Sequence, residues 1–113
     1  MTEQQRQKVM RLVGLGMRGR GVVVGVNQVR EAAKANKIVY AIVASDVSEN
    51  SQDKVVPLLN ARRVRFIEVP SAVELGTAVG REKTAVVGIV DRQLAAGIRA
   101  IAEPAGQGPQ EDV

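Results

Sequence analysis

The sequence predicts an α/β fold, a three-layer α-β-α sandwich in which helices cover both faces of a mixed sheet of about four strands. Two observations support this prediction. Segments with helical periodicity alternate along the chain with short runs of β-branched residues, and this alternation is typical of a sheet covered on both faces. The apolar fraction is 45% and includes one Phe and one Tyr, so the core is aliphatic, which suits β-branched strands packed on helices rich in Ala and Leu.

The first half of the chain contains two predicted helices and two predicted strands. Apolar residues recur among Arg and Lys over residues 4–17, as in an amphipathic helix, and residues 22–24 form a short strand. A second helix opens at residues 25–27, with Asn27 as its N-cap, and ends at about residue 36. The continuous apolar run over residues 38–44 indicates a strand that is buried on both faces.

The second half repeats the alternation. A third helix covers residues 51–62, and Pro57 inside it predicts a kink or a late helix start. Residues 64–69 and 85–90 are strands, and between them lies a short helix capped by Pro70 and Ser71. Asp91 caps a last helix over residues 92–102. The order is α-β-α-β-α-β-α-β-α in one domain, residues 1–102, and the Pro- and Gly-rich residues 103–113 are predicted to be a disordered acidic tail.

Composition excludes several classes of function. The chain has no cysteine and no histidine, so disulfides and thiolate metal sites are excluded and the commonest general base is missing. We therefore predict that the protein is not an enzyme and that it uses no metal or cofactor. No apolar run approaches the ~20 residues of a membrane span, and the polar N-terminus lacks the apolar core of a signal peptide. These features predict a cytoplasmic protein.

The distribution of charge favours a polyanionic partner. The net charge is +4, and because three acidic residues fall in the tail, residues 1–102 carry a net charge of +7. A basic domain of this size attracts nucleic acid, with an inert basic surface as the alternative. Basic residues surround the first strand and second helix and precede the last strand, and we expect the two regions to form one surface: Arg18, Arg20, Arg30, Lys34, Arg81 and Lys83.

A glycine motif near the N-terminus has two interpretations. Gly14, Gly16 and Gly19 match the spelling G-x-G-x-x-G of dinucleotide-binding folds. That fingerprint needs a strand before it and a helix after it, whereas here a helix precedes and a strand follows. We therefore interpret the glycines as positions of close helix packing.

Three acidic residues follow the second predicted strand. Asp46, Glu49 and Asp53 could hold Mg²⁺ in an α/β enzyme. No phosphate-binding loop accompanies them, and their spacing suits capping and dipole compensation at the third helix. We favour the second interpretation.

Three blocks of sequence occur in one order and resemble a known family. They are GVNQVREA at 25–32, IVASDVSE at 42–49 and VPSAVELGTAVG at 69–80. Together they resemble the L-seven-Ae/L-thirty-e ribosomal protein family, whose members bind kink-turn RNA. LVGLGMR at 12–18 and ASDVSEN at 44–50 are most similar to the bacterial YlxQ-type members. The similarity covers about residues 9–97 and implies the same α-β-α sandwich.

The resemblance also implies a mechanism. In the family, a G-x-N-E-x-x-K helix start reads guanines of sheared G·A pairs in sharply bent RNA, and the loop before the last strand covers a flipped-out nucleotide with apolar side chains. Gly25 and Asn27 match this motif, Gln28 stands where Glu is usual, and Glu31 stands where the family has Lys. These departures predict a structured RNA bound with relaxed specificity. The predicted RNA-binding residues are Gly25, Asn27, Gln28, Arg30, Lys34, Gly76, Arg81, Lys83 and Val86.

Two functions remain open on the sequence. The first is binding of a structured, kink-turn-like RNA by a ribosome-associated monomer. The second is a protein-interaction module of the same fold that has lost specific RNA recognition, an alternative favoured by Glu31 and by Ala72, which stands where some members have Lys.

Overall fold

The computed structural model describes residues 1–103 and confirms the predicted order of elements. It contains five helices and four strands within this range: α1 (Glu3–Arg18), β1 (Val22–Val24), α2 (Val26–Lys34), β2 (Tyr40–Ala44), α3 (Glu49–Ala61), β3 (Phe66–Val69), α4 (Ala72–Ala78), β4 (Val86–Ile89) and α5 (Arg92–Ala102). The predicted tail lies outside the described residues except for Glu103, the C-cap of α5.

The four strands form one mixed sheet in the order β1-β4-β2-β3. β4 is antiparallel to both of its neighbours, while β2 and β3 are parallel. The last strand of the chain is therefore inserted between the first two. As a consequence, the loop that precedes β4 lies at the same end of the sheet as the segments that follow β1, β2 and β3.

Helices cover both faces of this sheet, which confirms the predicted sandwich. One core cluster joins α1, α4 and α5 to residues such as Ile42 and Ile89. The other joins α2 and α3 to Ala41, Val43 and Val86. All five residues of β2 are buried, with alternate side chains on the two clusters, as expected for a strand covered on both sides. Almost all of the core is aliphatic, as the composition predicts.

Two details of the helices differ from the sequence-based expectations. Gly25, not Asn27, is the N-cap of α2, so Asn27 lies inside the first turn. Ser48 is the N-cap of α3, which begins earlier than expected and continues past Pro57 to Ala61. Of the kink or late start predicted at Pro57, the late start is wrong, because Ser48 accepts a hydrogen bond from the Ser51 amide and caps a helix that begins at Glu49, eight residues before the proline.

Two of the three glycines, Gly14 and Gly16, are packing positions, as expected, whereas Gly19 is the C-cap of α1 and a Cβ there would lie 3.9 Å from the Gly16 carbonyl oxygen. A Cβ on Gly16 would meet the side chain of Leu94 in α5, and one on Gly14 would lie 3.1 Å from the Ala78 carbonyl oxygen. α1 thus approaches two helices closely at positions that have no side chain. The dinucleotide fingerprint is absent from this region, because Gly14 and Gly16 lie inside a helix rather than in a strand-to-helix turn.

One polar group is buried beneath α5. The Tyr40 side chain is 1% exposed, and its hydroxyl donates a 2.6 Å hydrogen bond to Glu103. Burial raises the pKa of Tyr40, and the bond to the carboxylate raises it further. Glu103 also pairs with Arg65, which joins the end of α5 to the start of β3.

The sheet has two ends that concern function. The carboxyl end consists of residues 25–28, 45–49 and 70–73, which follow β1, β2 and β3, and of residues 79–85, which precede β4. We call the amino end the set of residues 18–21, 34–39, 62–65 and 90–92, on the opposite side of the sheet.

Candidate nucleic-acid interface

The start of α2 and the loop before β4 meet at the carboxyl end. The Gly25 amide donates a 3.0 Å hydrogen bond to the Val86 carbonyl, which ties the two segments together. Gly25 has a φ of 94°, in the region that favours glycine, and apart from its chain neighbours no heavy atom would lie within 4 Å of a Cβ there. Backbone conformation rather than crowding therefore accounts for glycine at this turn.

α2 presents two amide side chains beside this turn. Asn27 and Gln28 lie in the first turn of α2 and are exposed. Within the described chain, no side chain caps the α2 N-terminus. Its first amides therefore retain donor capacity for an external acceptor, and the helix dipole favours an anion there.

The loop before β4 begins with a Schellman turn at the end of α4. Gly80 has a φ of 76°, the Arg81 amide bonds the Gly76 carbonyl at 2.8 Å, and the Gly80 amide bonds Thr77 at 3.2 Å. Gly76 is buried against the backbone of Lys83, and a Cβ there would lie 2.7 Å from the Lys83 nitrogen. The turn thus fixes the backbone that carries the exposed Arg81 and Lys83.

α3 and α4 also begin at the carboxyl end. Ser48 caps α3, and Ser71 caps α4 through the Glu74 amide. Asp46 accepts a 2.9 Å hydrogen bond from the Ala72 amide, so it caps the fourth helix rather than the third. The interpretation of Asp46 as a cap is confirmed, but its helix is corrected. Three helix N-termini and one basic loop therefore surround a single end of the sheet.

The remaining predicted residues lie elsewhere. Lys34 is at the C-terminus of α2, ~10 Å along the helix from Asn27. Arg30 donates to the Lys54 carbonyl and so connects α2 to α3. Val86 is fully buried in the core, so the expectation that its side chain contacts RNA is wrong. Its contribution to this end is its carbonyl, which accepts from Gly25 and from the Thr84 hydroxyl.

The structure corrects the expected distribution of charge. The carboxyl end carries two basic residues, Arg81 and Lys83, and three acidic residues, Asp46, Glu49 and Glu82. The amino end carries eight basic residues and one acidic residue. Its basic residues are Arg18, Arg20, Lys34, Lys37, Arg62, Arg63, Arg65 and Arg92. The two expected basic regions therefore do not form one surface, because the first lies mostly at the amino end.

Sequence reasoning did not single out Val73 as a surface residue. Its side chain is 57% exposed in the first turn of α4, and the neighbouring Ala72 carbonyl accepts from the Thr84 amide. Val73 therefore lies beside the loop before β4. The signal was in the sequence, because a residue two positions before the buried Leu75 lies on the opposite face of a helix.

The described residues 1–103 show no group of three or more carboxylate, imidazole or thiol side chains that could hold a metal ion. None of the helices in this range is long and apolar enough to span a membrane.

Residues 7–97 match the ribosomal protein L7Ae/L30e/S12e/Gadd45 family. The chain is 34% identical over 95 residues to the RNA-binding protein YlxQ of Enterococcus faecium, an alignment that covers 84% of this chain and 91% of that protein.

Two solved structures share the fold. A protein of unknown function from Bacillus halodurans superposes with a TM-score of 0.77 at 24% identity, over 83% of this chain and 95% of the other. The 15.5kD RNA binding protein of Giardia lamblia superposes with a TM-score of 0.74 at 20% identity, over 89% of this chain and 87% of the other.

Proposed function

This chain belongs to the ribosomal protein L7Ae/L30e/S12e/Gadd45 family, as its motifs predicted, and on that premise we propose that it binds a structured, kink-turn-like RNA through the carboxyl end of its sheet. The observation that carries the proposal is the hydrogen bond between Gly25 and Val86. It joins a helix start with exposed amide side chains to a loop with two exposed cations.

The start of α2 supplies base recognition in this proposal. The exposed amides of Asn27 and Gln28 can donate to and accept from base edges, and Gln28 offers an uncharged acceptor to guanine N–H groups. The uncapped N–H groups of α2 can bind a phosphate. The resulting site reads bases from a helix end rather than by aromatic stacking.

The loop before β4 supplies the second half of the site. Arg81 and Lys83 are exposed and can neutralise RNA phosphates. Val73 is placed to give apolar cover to an unstacked base, the contribution first expected of Val86. Gly76 permits the close approach of loop and helix on which this arrangement depends.

We propose a cytoplasmic monomer that associates with the ribosome or with another non-coding RNA. The match to an RNA-binding protein along most of the chain supports binding rather than catalysis as its activity.

A titration of Asn27→Ala tests the proposed reader. Binding is measured by fluorescence anisotropy with an RNA that contains a kink with sheared G·A pairs, and with a fully paired duplex. Loss of a base-edge contact should make the binding free energy of the kinked RNA less favourable by about 1–3 kcal/mol and change that of the duplex little. The matched control is Gln7→Ala, which removes an exposed amide side chain from α1, outside both ends of the sheet. Its affinity should stay at the wild-type value.

Lys83→Ala tests the loop in the same assay. A lost phosphate contact should weaken the binding of both RNAs to the same extent. It should also reduce the magnitude of the slope of log K against log salt by about one. Equal binding of kinked RNA by the wild type and by the Asn27→Ala/Lys83→Ala double variant would refute the proposed site.

One observation favours the alternative of a protein-interaction module. The carboxyl end carries three acidic residues against two basic ones, and a net negative end disfavours RNA phosphates. The same titration at two salt concentrations separates the functions. An interaction module would bind kinked RNA and duplex equally weakly, and salt would abolish both interactions.

A further inference from the structure

We propose that the amino end of the sheet is a second RNA-contact surface, which binds the phosphate backbone on the side of the molecule opposite to the proposed base reader. The inference rests on the proposed function for the class of its ligand, since RNA is the polyanion in question. It differs in mechanism, because this end would bind RNA through charge and shape rather than through bases.

The first support is the concentration of charge. The four segments of the amino end carry eight basic residues against one acidic residue, whereas the carboxyl end carries two against three. The one acidic residue, Asp91, uses its carboxylate to cap α5, where it accepts from the Leu94 amide at 3.0 Å. Phosphate neutralisation is therefore available mainly at the end that the family motif does not use.

The second support is continuity across the end. Arg62 donates to the Lys34 carbonyl and to Asn36, which joins the ends of α3 and α2. The Val90 amide bonds the Gly21 carbonyl at 2.9 Å, which joins the segment after β4 to the segment before β1. The Val39 amide bonds the Ile89 carbonyl at 2.8 Å, which links these two pairs, and the strand order places the four segments side by side. The basic residues thus belong to one surface instead of four separate loops.

The third support is the identity of the residues that terminate α1 and α3. Both helices end in Schellman turns, with the Gly21 amide bonded to Gly16 and the Val64 amide bonded to Leu59. The left-handed position in these turns is occupied by Arg20, with a φ of 60°, and by Arg63, with a φ of 57°. Glycine is preferred there, because an L side chain is strained. Cations inside the last helical turn would compensate the helix dipole without this strain.

The chemistry of the surface favours phosphate. Arg65, Arg92 and Arg99 line one shallow pocket beside α5, where the planar guanidinium groups of Arg92 and Arg99 can each offer two parallel N–H donors to a phosphate oxygen pair. Glu103, close to this pocket, is already paired with Arg65 and accepts from Tyr40. Arginine rather than lysine predominates among the eight basic residues, as suits phosphate recognition.

Together the two ends would let one small domain hold two segments of a folded RNA, one read at its bases and the other bound along its backbone. The sheet and its covering helices separate the two surfaces, so they can be tested independently.

Arg20→Gly/Arg63→Gly is the decisive variant. It removes two charges and places the residue that the left-handed conformation prefers, so the midpoint of thermal unfolding should stay the same or rise. Lys8→Gln/Arg11→Gln removes the same charge from exposed positions in α1 and is the matched control. Each is titrated, beside the wild type, with a fully paired RNA duplex and with the kinked RNA at several salt concentrations.

The expected result is a loss of affinity for both RNAs. Two lost phosphate contacts should lower the slope of log K against log salt by about two and weaken binding roughly ten- to thirtyfold at 0.15 M salt. The control should lose less than threefold. Arg92→Gln/Arg99→Gln, which leaves both Schellman turns intact, should reproduce the loss.

Other outcomes would overturn the inference. They are equal binding of duplex by the wild type and the glycine variant, an equal loss in the control, absence of duplex binding by the wild type at 50 mM salt, or a fall in the unfolding midpoint that explains the lost affinity. Binding of the amino end to anionic lipid vesicles, with RNA binding intact, would also overturn it. If the duplex and the kinked RNA bind equally and both depend on the amino end, the proposed reader fails while this inference stands.

Discussion

Substitution of Gly76 by alanine tests whether the loop before β4 is held in place by its contact with α4. A Cβ at this position would lie 2.7 Å from both the backbone nitrogen and the carbonyl carbon of Lys83. Ordinary contacts of such atoms begin at about 3.4 Å, so the loop or the helix must move by at least about 0.7 Å. Backbone atoms cannot yield by a rotamer change, and the shift must therefore disturb the turn at Gly80.

The magnitude follows from two opposing effects. Alanine favours a helix interior over glycine by roughly 0.5–1 kcal/mol, whereas overpacking of a rigid contact costs about 1–3 kcal/mol. We expect Gly76→Ala to lower the free energy of unfolding by about 1–2 kcal/mol in urea denaturation. The displaced loop should also weaken the binding of kinked RNA, because Arg81 and Lys83 follow the same turn.

Gly97→Ala is the matched control. It places the same residue inside α5, where the new Cβ would meet Leu12 at 3.6 Å, an ordinary van der Waals distance. The helix-propensity gain is common to both variants, so their difference isolates the contact with the loop. If Gly76→Ala proves as stable as Gly97→Ala and binds RNA as the wild type does, the reasoning is refuted.

Three further predictions use the same measurements. Gly25→Ala should destabilise the fold by about 1 kcal/mol through its φ alone, and an unchanged free energy of unfolding would contradict this. Asp46→Ala should cost about 1 kcal/mol in urea denaturation by removing a cap from α4, whereas Asp46→Asn should keep the stability and raise RNA affinity. Glu103→Gln should lower the free energy of unfolding at pH 7 by about 1 kcal/mol. Burial raises the pKa of Glu103, but hydrogen bonds from a buried tyrosine and from Arg65 outweigh it and lower the pKa below 4.5, so the difference from wild type should shrink as pH falls below that value. A difference independent of pH would contradict this assignment.

Much of the fold was predictable because its signals are local. The helical period of residues 4–17 and the β-branched runs at 22–24 and 38–44 report which face of each segment is apolar, and that property depends on near neighbours. The motif at Gly25 and Asn27 was equally visible, because both residues lie in one turn of chain. The first residue of each helix was harder to predict, since Gly25 and Ser48 have near neighbours in the sequence that could also serve as N-caps.

The candidate site needed the tertiary structure because its parts lie far apart in the sequence. Asp46 was recognisable as a cap, but the amide it caps is 26 residues away at Ala72. Val86 was predicted to contact RNA, yet β4 occupies the middle of the sheet, where its side chain is covered by helices.

The sequence by itself determined the family, the order of elements, the aliphatic core and an excess of positive charge. Only the tertiary structure decided where that charge lies. Because β4 lies antiparallel between β1 and β2, the Gly80–Thr84 loop is next to the Gly25 turn at the carboxyl end. Arg20 and Arg63 lie at the amino end. The physical reason is that strand order and direction arise from long-range pairing, which local periodicity does not encode.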